Sequence, residues 1–294
     1  MSATAWTGKK PAGVEKTVNV LDKLSWTVQP PLGLICGDYF RVENNFAPHH
    51  ALDRGYHGIL EVVEKDGKLL HIEFNEINSP SYYNRYYQNA SKRRSDYCFF
   101  QATKERTAQS LKVLDNGFTT VEQQMLRENR LIGDFDLVTG ASNSVKRSLL
   151  PLAAQVEALR TQPRTMYYYG YAEKLPGGLT ARLQVVFQNG RIVRCFFDEI
   201  FADTPEEIDD PALKKYYRQS KYDSITYESP YPDGFNALSD LLQNHVLATQ
   251  DLLDLTGLPW TKDTDTRKRN VEWDHYLHLA QVIAEAARKD GRLS

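Results

Sequence analysis

The sequence has few cysteines, lacks long apolar runs and has no large excess of charge of one sign. Its three cysteines are odd in number and widely separated, so they support neither a disulfide framework nor a CxxC metal knuckle. The formal net charge of −2 gives no general attraction to nucleic acid or to an anionic membrane. No apolar run is long enough to cross a membrane, and the first residues contain no apolar core. We therefore expect no membrane insertion and predict a cytoplasmic protein.

Several common catalytic motifs are also absent. The sequence has no GxGxxG turn, P-loop, HExxH or Ser-His-Asp order, so dinucleotide-binding, NTPase and hydrolase functions lack support. The pair His49-His50 has no cluster of Cys, Asp or Glu nearby at metal-ligand spacing and is typical of a solvated loop. The composition, 41% hydrophobic and 25% charged, is that of an ordinary globular protein, and 294 residues allow two domains.

The first half of the chain contains a strong hairpin signal. Two β-rich runs, 55–64 and 69–76, flank the turn sequence Asp66-Gly67-Lys68, which predicts an antiparallel hairpin. Apolar spacing then predicts helices over 102–115 and 119–129.

Two segments after this hairpin each allow two interpretations. The tyrosine-rich stretch with Tyr82, Tyr83, Tyr86 and Tyr87 offers either a flat apolar wall for a ligand or ordinary packing. The triplet Lys92-Arg93-Arg94 is either a docking patch for an acidic partner or a solvated charged face.

The same order of features returns after Pro163, which predicts an internal duplication. An alternating run, 181–187, is followed by the hairpin turn Asn189-Gly190 and a return strand, 192–199. Three short matches support the duplication: Phe197-Asp198-Glu199 with Phe74-Asn75-Glu76, Tyr216-Tyr217 with Tyr86-Tyr87, and Ser220-Lys221 with Ser91-Lys92. Glu76 and Glu199 therefore end equivalent strands, where a shared structural bond or proton transfer explains them equally well.

The most informative stretch is the 136–144 segment, Asp136-Leu137-Val138-Thr139-Gly140-Ala141-Ser142-Asn143-Ser144. Its Gly-Ala pair allows a tight turn, and its hydroxyls stand where a helix to about Arg160, kinked or restarted at Pro151, would begin. Free N–H groups and the positive end of the helix dipole favour an anion there. The segment is therefore either a phosphate-binding turn, in which the Ser142 hydroxyl binds or is esterified by the phosphate, or a helix N-cap alone.

This segment resembles the recognition motif of the FMN-binding domain family, Asp-x-x-Ser/Thr-Gly-Ala-Thr/Ser-x-Ser. That family includes the C subunit of the sodium-pumping NADH:quinone reductase and the G subunit of the Rnf complex. The resemblance implies that a flavin transferase attaches FMN by a phosphoester to Ser142, and that the protein transfers electrons to a redox partner protein. It also implies that the cofactor site is formed by Asp136, Thr139, Gly140, Ala141, Ser142, Asn143 and Ser144.

The corresponding segment of the second half ends in Thr256-Gly257-Leu258-Pro259. Thr-Gly is retained, but Pro259 stands in the place of the hydroxyl, so no phosphoester can form and the second copy is predicted to be flavin-free. Two other functions stay open: a flavin-free binding or assembly module on the same scaffold, and a flavin-dependent oxidoreductase with noncovalent FMN.

The fold that these patterns predict is α+β, with two tandem copies of an FMN-binding-like domain made of an antiparallel sheet and helices. The predicted divisions are an N-terminal extension packing on the first domain (1–50), a first domain with the flavinylation-type motif (51–162), a second domain with the degenerate motif (163–262) and a C-terminal helix (263–294). A helical stretch over 235–253 and an amphipathic helix over 271–288 complete the pattern.

Overall fold

The structure, a computed structural model, describes residues 27–46, 55–102, 114–137, 142–264 and 268–293. Contacts divide the chain into two compact units. The first unit contains the described residues of Arg41–Val62 and Ile72–Gln162, and the second contains Val28–Phe40, Val63–His71 and the described residues of Pro163–Ser294. Each unit is thus built from more than one stretch of chain.

The fold is α+β, and its strands form one six-stranded antiparallel sheet in the order β3-β2-β1-β4-β5-β6. β1 pairs with β4 from Gly33 opposite Ala172 to Asp38 opposite Tyr167. The sequence analysis assigned no element to this part of the chain, so β1 was missed. The strands are β1 Gly33–Phe46, β2 Tyr56–Lys65, β3 Lys68–Ile77, β4 Met166–Leu175, β5 Leu179–Gln188 and β6 Arg191–Phe201.

Both predicted hairpins are confirmed, and their turns explain why. Asp66 and Gly67 have φ of 52° and 77°, and Asn189 and Gly190 have φ of 52° and 74°. Two consecutive positive φ angles define the type I′ turn, whose twist matches that of the flanking strands. Asp, Asn and Gly adopt these angles at low cost, so local sequence alone determined both turns.

Five helices of six residues or more lie within the described ranges. The predicted helix over 119–129 is confirmed with an earlier start, and most of the predicted helix over 102–115 lies outside the described residues. The helices are α1 Tyr97–Ala102, α2 Leu114–Glu128, α3 Leu150–Leu159, α4 Phe235–Thr249 and α5 Glu272–Lys289.

The helical stretch after the 136–144 segment contains one π-helical turn. Ser142–Ser144 is α-helical, Val145–Leu149 is π-helical, and α3 follows directly. The N–H of Leu150 donates to the carbonyl of Val145, five residues back, which is the π-helical spacing. Pro151 then falls in the first turn of α3, where a missing N–H costs little. The chain is helical without a break from Ser142 to Leu159, and the predicted kink or restart at this proline corresponds to the change from π to α geometry at Leu150.

The core of the first unit includes an aromatic contact between β3 and α2. Phe74 and Phe118 pack edge to face with ring centroids 4.7 Å apart, and both are fully buried. Val121 and Met125, three and seven residues after Phe118, are buried too, so one face of α2 is apolar.

The core of the second unit lies among β4 to β6, α4 and α5. Trp273 and Tyr276 are buried on α5 and bind the preceding loop, because the Trp273 Nε1 donates to the Pro259 carbonyl at 2.8 Å and the Tyr276 hydroxyl to the Leu252 carbonyl at 2.7 Å. The predicted C-terminal helix is confirmed, and so is the predicted helix from Phe235, which ends at Thr249.

The end of β3 is extended by a short return of the chain. Ile77 forms a bridge with Ser91, the Lys92 N–H donates to the Glu76 carbonyl at 2.9 Å, and the Asn78 N–H donates to the Ala90 carbonyl at 2.9 Å. This places Glu76 opposite Lys92 and Asn78 opposite Ala90.

The end of β6 has the same hydrogen-bond pattern. Ile200 forms a bridge with Ser220, the Lys221 N–H donates to the Glu199 carbonyl at 2.8 Å, and the Phe201 N–H donates to the Gln219 carbonyl at 2.9 Å. The 3₁₀ turns that precede the two returns are Arg85–Tyr87 and Lys214–Tyr216. Tyr87, rather than Tyr86, therefore occupies the position of Tyr216.

Candidate functional site

The 136–144 segment starts on an exposed loop and ends on a helix. The side chain of Asp136 is exposed, whereas its backbone is bound on both sides by Gln124 of α2: Oε1 accepts from the Asp136 N–H at 2.8 Å, and Nε2 donates to the Asp136 carbonyl at 2.9 Å. Thr139, Gly140 and Ala141 lie outside the described residues. Asp136 thus makes a backbone contact, not a side-chain cap, where the structure describes it.

The end of the segment contacts β3. Ser142 opens the helical turn, although its side chain is not among those described, and Asn143 is exposed. Ser144 is half-buried, and its Oγ donates to Glu76 Oε2 at 2.7 Å. The predicted residues Asp136, Asn143 and Ser144 therefore lie on a segment that is tied down at both ends and exposed between them, at Asn143.

Glu76 links Ser144 to a buried lysine. Lys92 donates from Nζ to Glu76 Oε2, the same oxygen that accepts from Ser144. Glu76 is 2% exposed and Lys92 is 4% exposed, so the pair is a buried salt bridge with opposite charges that balance. We call Glu76, Lys92 and Ser144 the Glu76 network. Sequence analysis identified Glu76 as noteworthy but did not connect it to the 136–144 segment.

Lys92 also contacts the tyrosine-rich region. Its Nζ lies 3.7 Å from the centre of the Tyr56 ring, a cation–π contact, and Tyr56 is half-buried. The Tyr56 and Tyr82 rings are 6.4 Å apart, and the hydroxyls of Tyr82 and Tyr97 are 3.0 Å apart. Burial raises the pKa of Tyr82 and of Tyr97, so both phenols stay protonated at neutral pH.

The four tyrosines predicted as a possible ligand wall differ in exposure. Tyr82 and Tyr87 are buried, and Tyr87 packs against Phe100 with ring centroids 4.9 Å apart, so these two are packing residues. Tyr86 is half-buried, and Tyr83 is 71% exposed. Only Tyr83 and Tyr86 of the four present ring surface outside the core.

The basic triplet is neither a docking patch nor a solvated face, so both interpretations of it were wrong. Lys92, Arg93 and Arg94 are all buried. Arg93 forms a two-bond ion pair with Glu122 of α2, at 2.6 and 3.0 Å, and Arg94 pairs with Glu73 of β3 at 2.8 Å. Each cation has its own carboxylate, and the triplet joins β3 to α2 from inside the first unit.

Asn78 was not singled out by the sequence analysis, but it is unusual in the structure. It is 1% exposed, and neither its side-chain oxygen nor its nitrogen has a hydrogen-bond partner among the described residues. Such an amide costs free energy unless something else binds it. The sequence did contain a signal for it: Asn78 follows Glu76 by two residues at the end of a predicted strand, and this spacing puts both side chains on the same face.

The second unit has a larger charged cluster at the equivalent strand end. Lys221 donates to Glu199 at 2.6 Å and to Glu272 at 2.8 Å, and Nδ1 of His275 lies 2.7 Å from the other Glu199 oxygen. We call these four residues the Glu199 network. Two of its members, Glu272 and His275, belong to α5.

The proton affinities in the Glu199 network follow from burial and charge. Burial raises the pKa of Glu199, but the charge of Lys221 and the hydrogen bond to His275 outweigh it, so the pKa lies below its ordinary value. Burial holds the pKa of Glu272 above its ordinary value. The hydrogen bond to Glu199 raises the pKa of His275. With Lys221 and His275 both protonated, the four charges sum to zero.

The Thr256-Gly257 turn of the second unit is exposed. The Thr256 N–H donates to Asp254 Oδ1 at 2.8 Å, and Gly257 has φ of 89°, which favours glycine. Pro259, two residues after Gly257, accepts the Trp273 hydrogen bond through its carbonyl. This turn thus serves the packing of α5.

Two kinds of feature are absent from the described residues. No group of three or more His, Cys, Asp or Glu side chains within the described ranges is arranged to hold a metal ion. None of the helices in the part of the chain that the structure describes is both long and apolar enough to span a bilayer.

Comparison with known proteins gives little guidance. No family model matches the chain, and no curated protein matches it. One solved structure, the CPE2226 protein from Clostridium perfringens, is 23% identical over 44% of this chain and 94% of that chain, with a TM-score of 0.30. A likeness this distant carries no functional argument, so the residues themselves must supply it.

Proposed function

We propose that the protein is an electron-transfer flavoprotein whose first unit carries one FMN, esterified through its phosphate to Ser142. The observation that carries the proposal is the anchoring of the 136–144 segment at both ends, by Gln124 at Asp136 and by Glu76 at Ser144, with the Asp136 and Asn143 side chains exposed. A segment held at both ends keeps a group attached to it in one place.

The charge around the proposed ester supports the same function. FMN phosphate is an anion, and it is favoured by the N–H groups of the helical turn that Ser142 opens. Lys146 is exposed one turn further along the same helical stretch and adds a positive charge. The flavin supplies the redox chemistry, and the protein supplies position and electrostatics.

Attachment requires a donor that balances the reaction, and a flavin dinucleotide is such a donor. The Ser142 oxygen forms an ester bond to the flavin-side phosphorus while the pyrophosphate bond breaks. AMP leaves with the bridging oxygen, and the serine proton passes to solvent. No change of flavin oxidation state is involved, so the flavin transferase needs no oxidant for this step.

We further propose that the two units derive from a tandem duplication in which only the first copy retains flavin. The shared strand-end hydrogen bonds, the matched type I′ turns and the pairs Glu76–Lys92 and Glu199–Lys221 support a common origin. Pro259 in place of the hydroxyl supports a single flavin for each chain.

The test is intact-mass spectrometry of the protein after co-expression with a flavin transferase. We expect one FMN adduct, which the Ser142→Ala variant abolishes. Thr256→Ala is the matched control, because it removes the hydroxyl of the equivalent turn in the second unit and should leave the adduct unchanged. If the protein carries no flavin, either covalent or noncovalent, the proposal is refuted. The alternative function, a flavin-free binding or assembly module, is then favoured.

A further inference from the structure

The strand end that carries Glu76 also carries an unsatisfied buried amide. Asn78 is two residues beyond Glu76, so both side chains lie on the same face of the strand. Lys92 and Ala90 stand opposite these two residues in the return segment. The Asn78 amide, the Lys92 ammonium and the Glu76 carboxylate therefore share one face at the end of β3.

In the second unit, an apolar side chain fills the corresponding position. Phe201 occupies the place of Asn78, is fully buried and packs against Tyr216 and Tyr227 with ring centroids 5.5 and 5.6 Å away. Lys221 has two carboxylate partners where Lys92 has Glu76. The second unit thus fills this site with its own side chains, whereas the described residues of the first unit leave a donor and an acceptor unused at Asn78.

The unused groups define the chemistry of a ligand. The Glu76–Lys92 pair is already balanced in charge, so a further buried ion would be costly and a neutral group is favoured. A side-chain amide pairs best with a group that offers an N–H and a C=O side by side. Tyr56, half-buried against Lys92, supplies an aromatic surface for a flat ring.

We propose that Asn78 binds the imide edge of the flavin ring system, with its Oδ1 accepting from the ring N–H and its Nδ2 donating to an adjacent ring carbonyl. The inference rests on the proposed function and adds the site of the ring to that of the phosphate. Ser144, two residues after Ser142, binds Glu76, and Asn78 lies about 7 Å from Glu76 along the extended chain. The ribityl chain of FMN can span such a separation.

The first test uses stability without any ligand. Since the side chain of Asn78 has no hydrogen-bond partner in the described part of the chain, replacing it with an apolar residue of similar shape removes a penalty. Asn78→Leu should therefore raise the Tm of flavin-free protein by about 2–5 °C. Asn270→Leu is the matched control, because Asn270 is equally buried but its amide binds Glu272 through both atoms. That variant should lower the Tm. A lowered Tm for Asn78→Leu would overturn the proposal.

The second test uses lumiflavin, which has the ring system but neither ribityl chain nor phosphate. Fluorescence titration should show binding to the protein, and Asn78→Leu should weaken it about tenfold or more. The analogue methylated on the imide nitrogen should bind the unmodified protein as weakly as lumiflavin binds the variant. Equal lumiflavin affinity for both proteins, or no lumiflavin binding at all, would overturn the ring site.

The two proposals fail in different ways. Protein that never receives the FMN adduct but binds lumiflavin through Asn78 would refute the ester at Ser142 and retain the ring site. Protein that is esterified at Ser142, with lumiflavin binding unaffected by Asn78→Leu, would refute the ring site alone.

Discussion

Three consecutive cations are buried in the first unit, each against its own carboxylate. Lys92 pairs with Glu76, Arg93 with Glu122 and Arg94 with Glu73. Burying a charge is costly unless it is paired and hydrogen-bonded. Each of these cations can therefore be buried only because its carboxylate partner is buried with it. The Glu76–Lys92 pair is the one that bears on the proposed function, since Glu76 also binds Ser144.

Glu76→Gln should therefore destabilise the protein strongly. The substitution leaves the Lys92 ammonium buried without a counter-charge, and we expect a loss of about 3–5 kcal/mol in the free energy of unfolding. Urea denaturation measures this loss. The double variant Glu76→Gln/Lys92→Met should recover part of it, because the uncompensated charge is then gone.

An exposed ion pair provides the control for this prediction. Arg127 pairs with Glu128 on the surface of α2, and its side chain is 67% exposed. Arg127→Gln should change the unfolding free energy by less than about 0.5 kcal/mol. A loss for Glu76→Gln as small as this would show that Lys92 finds other compensation.

Sequence reasoning identified the 136–144 segment but not its surroundings, for a physical reason. Turn and cap chemistry is local, so Asp136 to Ser144 could be interpreted from its own residues. The partners of Lys92 and Arg93 lie 16 and 29 residues away in sequence, and the contact of Ser144 with Glu76 spans 68 residues. Such pairings depend on the fold, and for this reason a buried triplet had the appearance of a surface patch.

Among the elements, the hairpins and the amphipathic helices were predictable and β1 was not. The residues that determine a type I′ turn lie close together in sequence, and so do those that form the apolar stripe of α5. β1 contains Cys36, Gly37, Asp38 and Arg41 in no regular alternation, and its register depends on pairing with β4, far along the chain. Its strand state is set by tertiary contacts rather than by its own pattern.

Helix α5 contributes to the second unit both by packing and by charge. Its buried residues include Trp273, Tyr276 and Ile283, and its first turn places Glu272 and His275 against Glu199 and Lys221. The apolar face supplies most of the stabilisation, and the Glu199 network determines how that stabilisation changes with pH.

We expect the stability that α5 provides to fall as the pH rises above about 6.5, the ordinary pKa of histidine. The pKa of His275 is raised in the folded protein by its hydrogen bond to Glu199. Its contribution is fully present below the unfolded pKa and is lost as the pH rises through the higher folded pKa. Thermal unfolding between pH 6 and pH 8.5 should show this fall, and His275→Gln should flatten it.

His278 is the control on the same helix. It contacts Glu173, but its side chain is 57% exposed, so solvent screens the interaction. His278→Gln should leave the pH dependence nearly unchanged. If His275→Gln and unmodified protein lost stability in parallel over this range, another group would be responsible.

At the scale of the whole molecule, the three cysteines report on the integrity of the fold. All are free; Cys98 and Cys195 are buried, and Cys36 is half-buried. Burial raises the pKa of the Cys195 thiol to about 12, so it is not a thiolate at neutral pH.

Thiol labelling of the native protein should therefore modify Cys36 rapidly and the other two only slowly. Mass spectrometry should find one label before denaturation and three after it. Cys36→Ser should remove the rapid label, which identifies its site. Rapid modification of a second thiol in native protein would mean that one of the cores opens readily.

The interleaving of the two units also has a consequence for synthesis. Asp38 pairs with Tyr167, and the early segment Val28–Phe40 belongs to the same unit as the chain from Pro163 onward. On the ribosome, this part of β1 emerges while its partner strand has still to be translated. The edge of β1 that pairs with β4 therefore stays open in the nascent polypeptide until β4 has been synthesised. Chaperones that cover such edges should increase the yield of folded protein.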